Sequence, residues 1–269
     1  MSQDPGLDDT LELMRDLRKR CDWDAAQTHE SLRPYLIEEA HELDEAIQFT
    51  DDPLMREELG DVLLQVLFHS VLAEERGAFT FNDVARGLIT KMKGRHPHLY
   101  GEGAREPWER MKSKRRVSLA DGLPAALPAL HRAQRLQDRA AGVGFDWPTW
   151  HGAADKVSEE LEEARELLNE LPETTSAGSP PLRDDAHERI TEELGDLLFA
   201  CVNLCRKAQV HASLALDRAN RKFQLRFEQV EKLAAERGIK LGSASLAEMD
   251  ALWDEVKSRQ PSPSRGEVR

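Results

Sequence analysis

Four carboxylates recur twice along this chain at spacings that a helix would gather onto one face. Glu39 and Glu42 stand three residues apart, as do Glu58 and Asp61, and the pattern returns as Glu160 with Glu163 and Glu193 with Asp196. Residues three apart on a helix share a face. Two neighbouring antiparallel helices would therefore converge four acids in each copy. So many like charges at one point repel, and the arrangement makes physical sense only if cations fill it or the groups diverge into solvent. Hard oxygen donors at this density, without a set of Cys or His ligands, favour Mg²⁺, with Mn²⁺ as a substitute, over zinc.

The simpler reading is a solvated acidic face, because Glu is a good helix former and runs of it are common on helix surfaces. Two features oppose it. Asp61 and Asp196 run directly into apolar stretches, which puts them at the edge of a core. Gly60 and Gly195 lie inside the same helical segments, where Gly costs roughly 1 kcal/mol relative to Ala. That cost in both copies predicts close approach of another backbone or a ligand. A di-iron carboxylate site competes, since it also draws Glu from four helices, but it needs two Glu-x-x-His pairs. Glu38 with His41 supplies one, and Glu162 stands where the second His would be. Iron is disfavoured, and His41 reads as a helix-surface residue.

The elements that position these acids are helices. Ala, Leu, Glu and Arg dominate, only 6% of residues are aromatic, and the fold class is all-α. Glu57-Glu58-Leu59-Gly60-Asp61-Val62 returns 135 residues later as Glu192-Glu193-Leu194-Gly195-Asp196-Leu197. In the same order, Asp22-Trp23 matches Asp146-Trp147 and Glu38-Glu39-x-x-Glu42 matches Glu159-Glu160-x-x-Glu163. The period is too long for a solenoid, so the chain reads as one helical-bundle domain written twice, residues 1–120 and 121–259, with a disordered tail at 260–269. Helices are expected at about 31–48, 53–76 and 82–93 and around Trp108 in the first copy, and at about 150–171, 184–209, 213–237 and 246–257 in the second. Val62–Ala73 and Leu197–Cys205 are apolar on nearly every face, which predicts central helices packed on several sides.

The formal net charge of −13 argues against holding a polyanion by bulk field, so no nucleic-acid partner is expected, and the short basic cluster Lys112–Arg116 does not alter that. It leaves room for a small phosphorylated ligand held by cations and a few local bases. No apolar run is long enough to span a bilayer, and Asp4, Asp8 and Asp9 replace the basic start of a signal peptide, so no membrane association and a cytoplasmic location are expected. Cys21, Cys201 and Cys205 suggest neither disulfides nor zinc; Cys201 and Cys205 read as small buried hydrophobes. There is no P-loop, no GxGxxG and no GxSxG elbow. Phosphate would instead meet Lys222 and Arg226, one turn apart, and Trp253 with Lys257, which repeat Lys91 with Arg95 and Trp108 with Lys112. Arg and Lys clamp polyphosphates, and Trp253 could pack against a base.

The order EExxE, ExxD, KxxxR and WxxxK, twice, resembles the all-α nucleoside triphosphate pyrophosphohydrolases of the MazG type. The Cys21-Asp22-Trp23-Asp24 and Arg95-His96-Pro97-His98 segments are similar to the N-terminal copy of that family, and Val143-Gly144-Phe145-Asp146-Trp147 to its C-terminal copy. One departure is the spacer of 29 residues between Glu163 and Glu193, against 15 between Glu42 and Glu58, which a Pro/Ser-rich loop at 171–181 absorbs. The resemblance implies hydrolysis of nucleoside triphosphates to monophosphate and pyrophosphate by a homodimer. It places metals on Glu160, Glu163, Glu193 and Asp196, with Glu159, Glu160 and Glu193 as the catalytic group and Glu159 positioning water. It also implies a weak preference for the C-terminal copy as the working one. The alternative is a non-catalytic helical regulatory protein whose acid clusters only bind cations or a nucleotide.

Overall fold

The computed structural model describes residues 6–101, 103, 118–171 and 184–259. The chain divides into two compact units, Met1–Glu106 and Pro107–Arg269, and every regular element among the described residues is helical. Trp108, Lys112 with the basic cluster that follows it, most of the 171–181 loop and the tail lie outside the described residues.

The first unit contains α1 (Leu7–Arg20), α2 (Asp22–Ala26), α3 (Arg33–Phe49), α4 (Asp52–Glu75), α5 (Phe81–Gly94) and α6 (Pro97–Tyr100). Local chemistry sets the ends. The α4 N-terminus is capped by Asp51, whose carboxylate accepts a hydrogen bond from Leu54 N at 3.1 Å, with Pro53 in the first turn. At α5, Thr80 and Asp83 form a reciprocal capping box, which satisfies two otherwise orphaned amides. Thr50 closes α3 in the left-handed region at φ 55°. The core forms where α1 crosses the C-terminal half of α4: Leu11, Met14, Leu32, Leu67, Phe68, Val71 and Leu72 are buried together. Arg15 with Glu74 (2.9 Å) and Arg18 with Glu75 (2.5 Å) tie the same two helices at the rim.

The second unit contains α7 (Ala129–Gly142), α8 (Trp150–Leu168), α9 (Asp184–Lys207), α10 (Ala212–Glu236), a 3₁₀ turn at Leu241–Ser243 and α11 (Leu246–Arg259). Helices α8 and α9 pack along each other, as α3 and α4 do in the first unit. A separate cluster of Val230, Leu233, Ala234, Leu252 and Val256 fastens α10 to α11.

Two expectations change. The middle helices are less enclosed than their composition suggests. Leu67–Ala73 is largely buried, but Leu59, Leu63, Leu64 and Val66 are exposed on α4, as are Leu194, Leu198 and Phe199 on α9. An apolar run specifies a dry environment without specifying that the same chain supplies it. Likewise Gly60 and Gly195 face open space, where an added Cβ would meet nothing within 4 Å. Neither glycine is therefore needed for packing among the described residues of its own chain.

Asp146 shows what the repeated Asp-Trp pair does locally. Its carboxylate accepts from Arg206 and, at 3.2 Å, from Lys207, while the Lys207 ammonium also donates to Trp147 O at 2.5 Å. Burial opposes ionisation of Asp146, but the hydrogen bonds from Arg206 and Lys207 outweigh it and hold the carboxyl below the ordinary Asp range. Asp146 and Arg206 line a cavity of about 500 Å³ together with Phe145, Trp147, Phe199, Asn203 and Leu119. Asp146→Asn is expected to destabilise the second unit by about 1–2 kcal/mol at neutral pH. Since the folded pKa is depressed, the difference from wild type should vanish as pH falls through it. Urea unfolding at pH 7 and pH 3 checks both statements.

Candidate metal and phosphate site

In the first unit α3 brings Glu39 and Glu42, and α4 brings Glu58, so that one oxygen from each lies within 4.8 Å of the others. In the second unit α8 and α9 do the same for Glu160, Glu163 and Glu193. The spacing logic explains this directly: an i, i+3 pair on one helix meets a single acid on its antiparallel neighbour. Asp61 and Asp196 lie outside these two groups of three. Asp61 still sits close enough to raise the pKa of both Glu39 and Glu58 through its charge, whereas Asp196 is exposed. His41 is exposed on α3, as expected of a surface residue. Cys201 and Cys205 are half-buried free thiols.

The electrostatics are those of a site waiting for positive charge. Glu39 is pushed above the usual carboxylate range by burial and by repulsion from Asp61, Glu42 and Glu58. Glu58 and Glu163 move in the same direction, by desolvation first and neighbouring carboxylates second. A raised folded pKa means that the ionised group opposes folding, so its contribution to the metal-free protein improves as pH falls towards the carboxylate range. Protons and cations compete for the same oxygens. Glu39→Gln should therefore raise the melting temperature of the metal-free protein slightly, by about 1 °C, and, if the cluster takes a cation, remove most of the stabilisation that added Mg²⁺ or Mn²⁺ would give the first unit. Differential scanning calorimetry with and without cation reads both effects.

The second cluster contains a partner that sequence reasoning missed. Lys156 Nζ lies 2.6 Å from Glu160 Oε1 and 2.9 Å from Glu159 Oε1. The hydrogen bonds that Lys156 donates to those two carboxylates, Glu160 first, raise its pKa far above its ordinary value. Glu160 is only 5% exposed, so this ammonium answers a buried charge that would otherwise be costly. The signal was available as Lys at i−4 from Glu160. In the first copy the aligned residue is Tyr35, and among the described residues that cluster has no such ammonium.

Lys222 and Arg226 occupy successive turns of α10, Lys222 exposed and Arg226 half-buried with a buried Nε that has no partner among the described residues. Trp253, on α11, packs its ring 5.4 Å from Phe223, and Lys257 is exposed one turn on. The α10–α11 hairpin thus presents two cations, an underused guanidinium and an indole. Among the described residues none of its bases is ion-paired with Glu160, Glu163 or Glu193. In the first unit Lys91 is exposed near the end of α5 and Arg95 caps that helix.

Both acid clusters lie in segments that match known proteins. Residues 27–100 and 154–231 each match the MazG nucleotide pyrophosphohydrolase domain, so the two matched segments contain the two acid clusters. The chain is 41% identical to the nucleoside triphosphate pyrophosphohydrolase/pyrophosphatase MazG of Thermotoga maritima, covering 93% of this chain and 95% of that one. It is 38% identical to the nucleoside triphosphate pyrophosphohydrolase of Escherichia coli K12, over 97% and 99% of the two chains. A Bacillus subtilis protein, the uncharacterized YabN, is 41% identical over 92% of this chain but only 51% of its own length. Two acid-bearing helix pairs, the same domain matched twice and end-to-end similarity to these relatives together place the chain in the MazG nucleotide pyrophosphohydrolase family of hydrolases.

Proposed function

We propose that the protein hydrolyses nucleoside triphosphates to nucleoside monophosphates and pyrophosphate, with Mg²⁺ as the cation and Mn²⁺ as a substitute. The observation that carries this reading is the pair of three-carboxylate groups, with oxygens within 4.8 Å of one another, in a chain of this family. The donor set is all oxygen, and desolvation followed by repulsion from Glu160 and Glu193 raises the Glu163 pKa; both suit a hard divalent ion. Glu160, Glu163, Glu193 and Asp196 would hold it, and Glu39, Glu42, Glu58 and Asp61 are the corresponding set in residues 1–120. A bound Mg²⁺ supplies charge neutralisation of the polyphosphate and a more acidic water.

The side chains do the rest. Lys222, Arg226 and Lys257 on the hairpin bind phosphate oxygens, as Lys91, Arg95 and Lys112 would in the first copy, and Trp253, like Trp108, covers the nucleoside. Glu159, beside the coordinating group and facing solvent, orients the attacking water and accepts its proton. The water oxygen bonds to phosphorus as the α–β bridging P–O bond breaks, and the leaving pyrophosphate is held by the basic residues. Residues 121–259 are the working domain. The open apolar faces of α4 and α9, with Leu59 52% and Leu198 59% exposed, support a homodimer in which the bundles complete each other. Removal of surplus triphosphates in the cytoplasm, without nucleic acid or membrane, is the corresponding cellular role; among the described residues no helix is long and apolar enough to cross a membrane.

The test is incubation with each of the common triphosphates and Mg²⁺, with phosphorus NMR of the products. Monophosphate and pyrophosphate in equal amounts are expected. Diphosphate with inorganic phosphate would refute the cleavage site. No turnover with either cation, in protein that stays folded and binds nucleotide, would leave the regulatory reading in its place.

A further inference from the structure

Two half-buried histidines in the first unit form a pair that neither acid cluster uses. His29 lies in the turn that leads into α3, and His69 lies on α4. Their Nδ1 atoms are 2.8 Å apart, with ring planes 6° apart and centroids 5.1 Å apart. This is the geometry of two coplanar rings sharing one in-line N–H···N bond. The outer edges are closed off: Nε2 of each ring is buried without a hydrogen-bond partner among the described residues. A buried polar atom left unpaired costs roughly 1–3 kcal/mol, so two on one pair need a reason. The fold supplies none, because the position aligned with His69 in the second copy is Leu204.

The pair fastens one segment to one helix. Residues 27–32 are held from outside by Leu32 in the α1–α4 core, by Arg18 of α1, which donates to Gln27 O at 3.2 Å, and by His29. Among the described residues the bond from His29 to His69 is the segment's one side-chain hydrogen bond to α4.

A neutral imidazole carries one N–H and an imidazolium two. In the neutral pair one proton lies in the shared bond, the accepting ring keeps its own proton on Nε2, and the donating ring has a bare Nε2. While the bond persists, an added proton can go only to that bare nitrogen, which is buried and faces no acceptor. The charged groups around the pair are already matched. Glu30 pairs with Arg33 at 2.7 Å beside His29, Arg15 with Glu74 at 2.9 Å and Arg18 with Glu75 at 2.5 Å between α1 and α4, and Asp83 with Arg86 at 2.7 Å at the start of α5. Asp24 of α2 acts on Arg18. Burial first, and the neighbouring His29 second, hold His69 below the ordinary histidine range, and no acid offsets them. A histidine freed from the pair titrates near about 6.5. The closed pair is therefore favoured above that pH and loses ground as pH falls through it.

We propose that the His29–His69 bond is an acid-sensitive latch: protonation favours a state in which residues 27–32 and the first turn of α3 come off α4 while α1 and α4 stay packed. The open state uncovers Leu36, Val66, Phe79 and Val84, which line a cavity of about 500 Å³ together with the two histidines. It also loosens the start of the helix that carries Glu39 and Glu42. Acid therefore weakens cation binding at the first cluster, and only this last consequence rests on the cation reading above.

Hydrogen–deuterium exchange of the metal-free full-length protein at pH 7.5 and pH 5.5, corrected for the intrinsic rate, tests the latch without cation or turnover. The amides of Leu32 and Leu36 donate to Thr28 O at 3.2 Å and Leu32 O at 3.1 Å. They should lose protection by about tenfold or more at the lower pH, the factor expected when one histidine of ordinary pKa is uncovered over that range. The amides of Leu67–Leu72 should keep theirs. In the double variant His29→Gln with His69→Gln, protection of Leu32 and Leu36 should change by less than about twofold between the two pH values; His29→Leu with His69→Leu makes the same comparison if the first pair does not fold. Unchanged protection in the wild type, an equal loss in a folded double variant, or a loss spread evenly over α1 and α4 would overturn the proposal.

Discussion

Glu193→Gln is expected to lower pyrophosphate release by at least about 100-fold, while Glu58→Gln leaves it within about twofold. The substitution keeps the side chain's size and one oxygen but removes the charge that a cation needs. Loss of a residue that merely supports a metal ligand costs about 10–100-fold, so loss of a ligand should cost no less than the upper end of that range. Glu193 is the single α9 acid in its group, opposed to Glu160 and Glu163 from α8. Without it α9 offers Asp196, which lies outside the group of three. The asymmetry between copies follows from placing the working site in the second unit, where Lys222, Arg226 and Trp253 stand on one hairpin. Steady-state assays at saturating Mg²⁺ decide the matter, and a collapse of activity in Glu58→Gln alone would move the working site to the first unit.

Leu252→Ala should have the largest effect on stability. Leu252 is 2% exposed and packs with Val230 (2%), Leu233 (5%), Ala234 (1%) and Val256 (4%). Truncating a buried Leu costs about 2–5 kcal/mol, the transfer term plus the cavity left behind. For a unit of this size, that corresponds to about 5–15 °C in melting temperature. Because this cluster is what fastens α11 to α10, the loss is also functional. Trp253, partly buried against the same cluster, loses its backing, and the residues proposed to bind phosphate lose their fixed separation. Calorimetry should show the second unit melting early, and KM for nucleoside triphosphate should rise. An unchanged KM at a temperature where the variant is folded would detach Trp253 from substrate binding.

Much of this was legible in the residues. Helical composition and the 135-residue repeat give the architecture, and i, i+3 spacing gives Glu39 with Glu42 and Glu160 with Glu163, since neither depends on long-range packing. The α3, α4, α8 and α9 ends came within a few residues, because Pro53, Asp51 and Trp150 mark them locally. Most of what was missed depends on partners. The helix Leu7–Arg20 is strongly polar overall, but its Leu7, Leu11, Met14 and Leu17 recur at helical spacing, a signal that could have placed Leu11 and Met14 in the core. The fourth acids, Asp61 and Asp196, stand at the same i, i+3 spacing from Glu58 and Glu193, yet they lie outside the groups of three, a difference set by how the paired helices pack and not by spacing. The His29–His69 pair joins residues 40 apart, and no local pattern could announce it.

The ammonium of Lys156 distinguishes two clusters that look identical as strings of acids. Three carboxylates in the first group carry a charge of about −3 when ionised, whereas the second group, with Lys156 bonded to Glu160, carries about −2. The two copies therefore differ in local charge by a single side chain: a cation binding at the second cluster would meet a resident ammonium, which could turn to the phosphates of an incoming nucleotide, whereas among the described residues the first cluster has no counterpart.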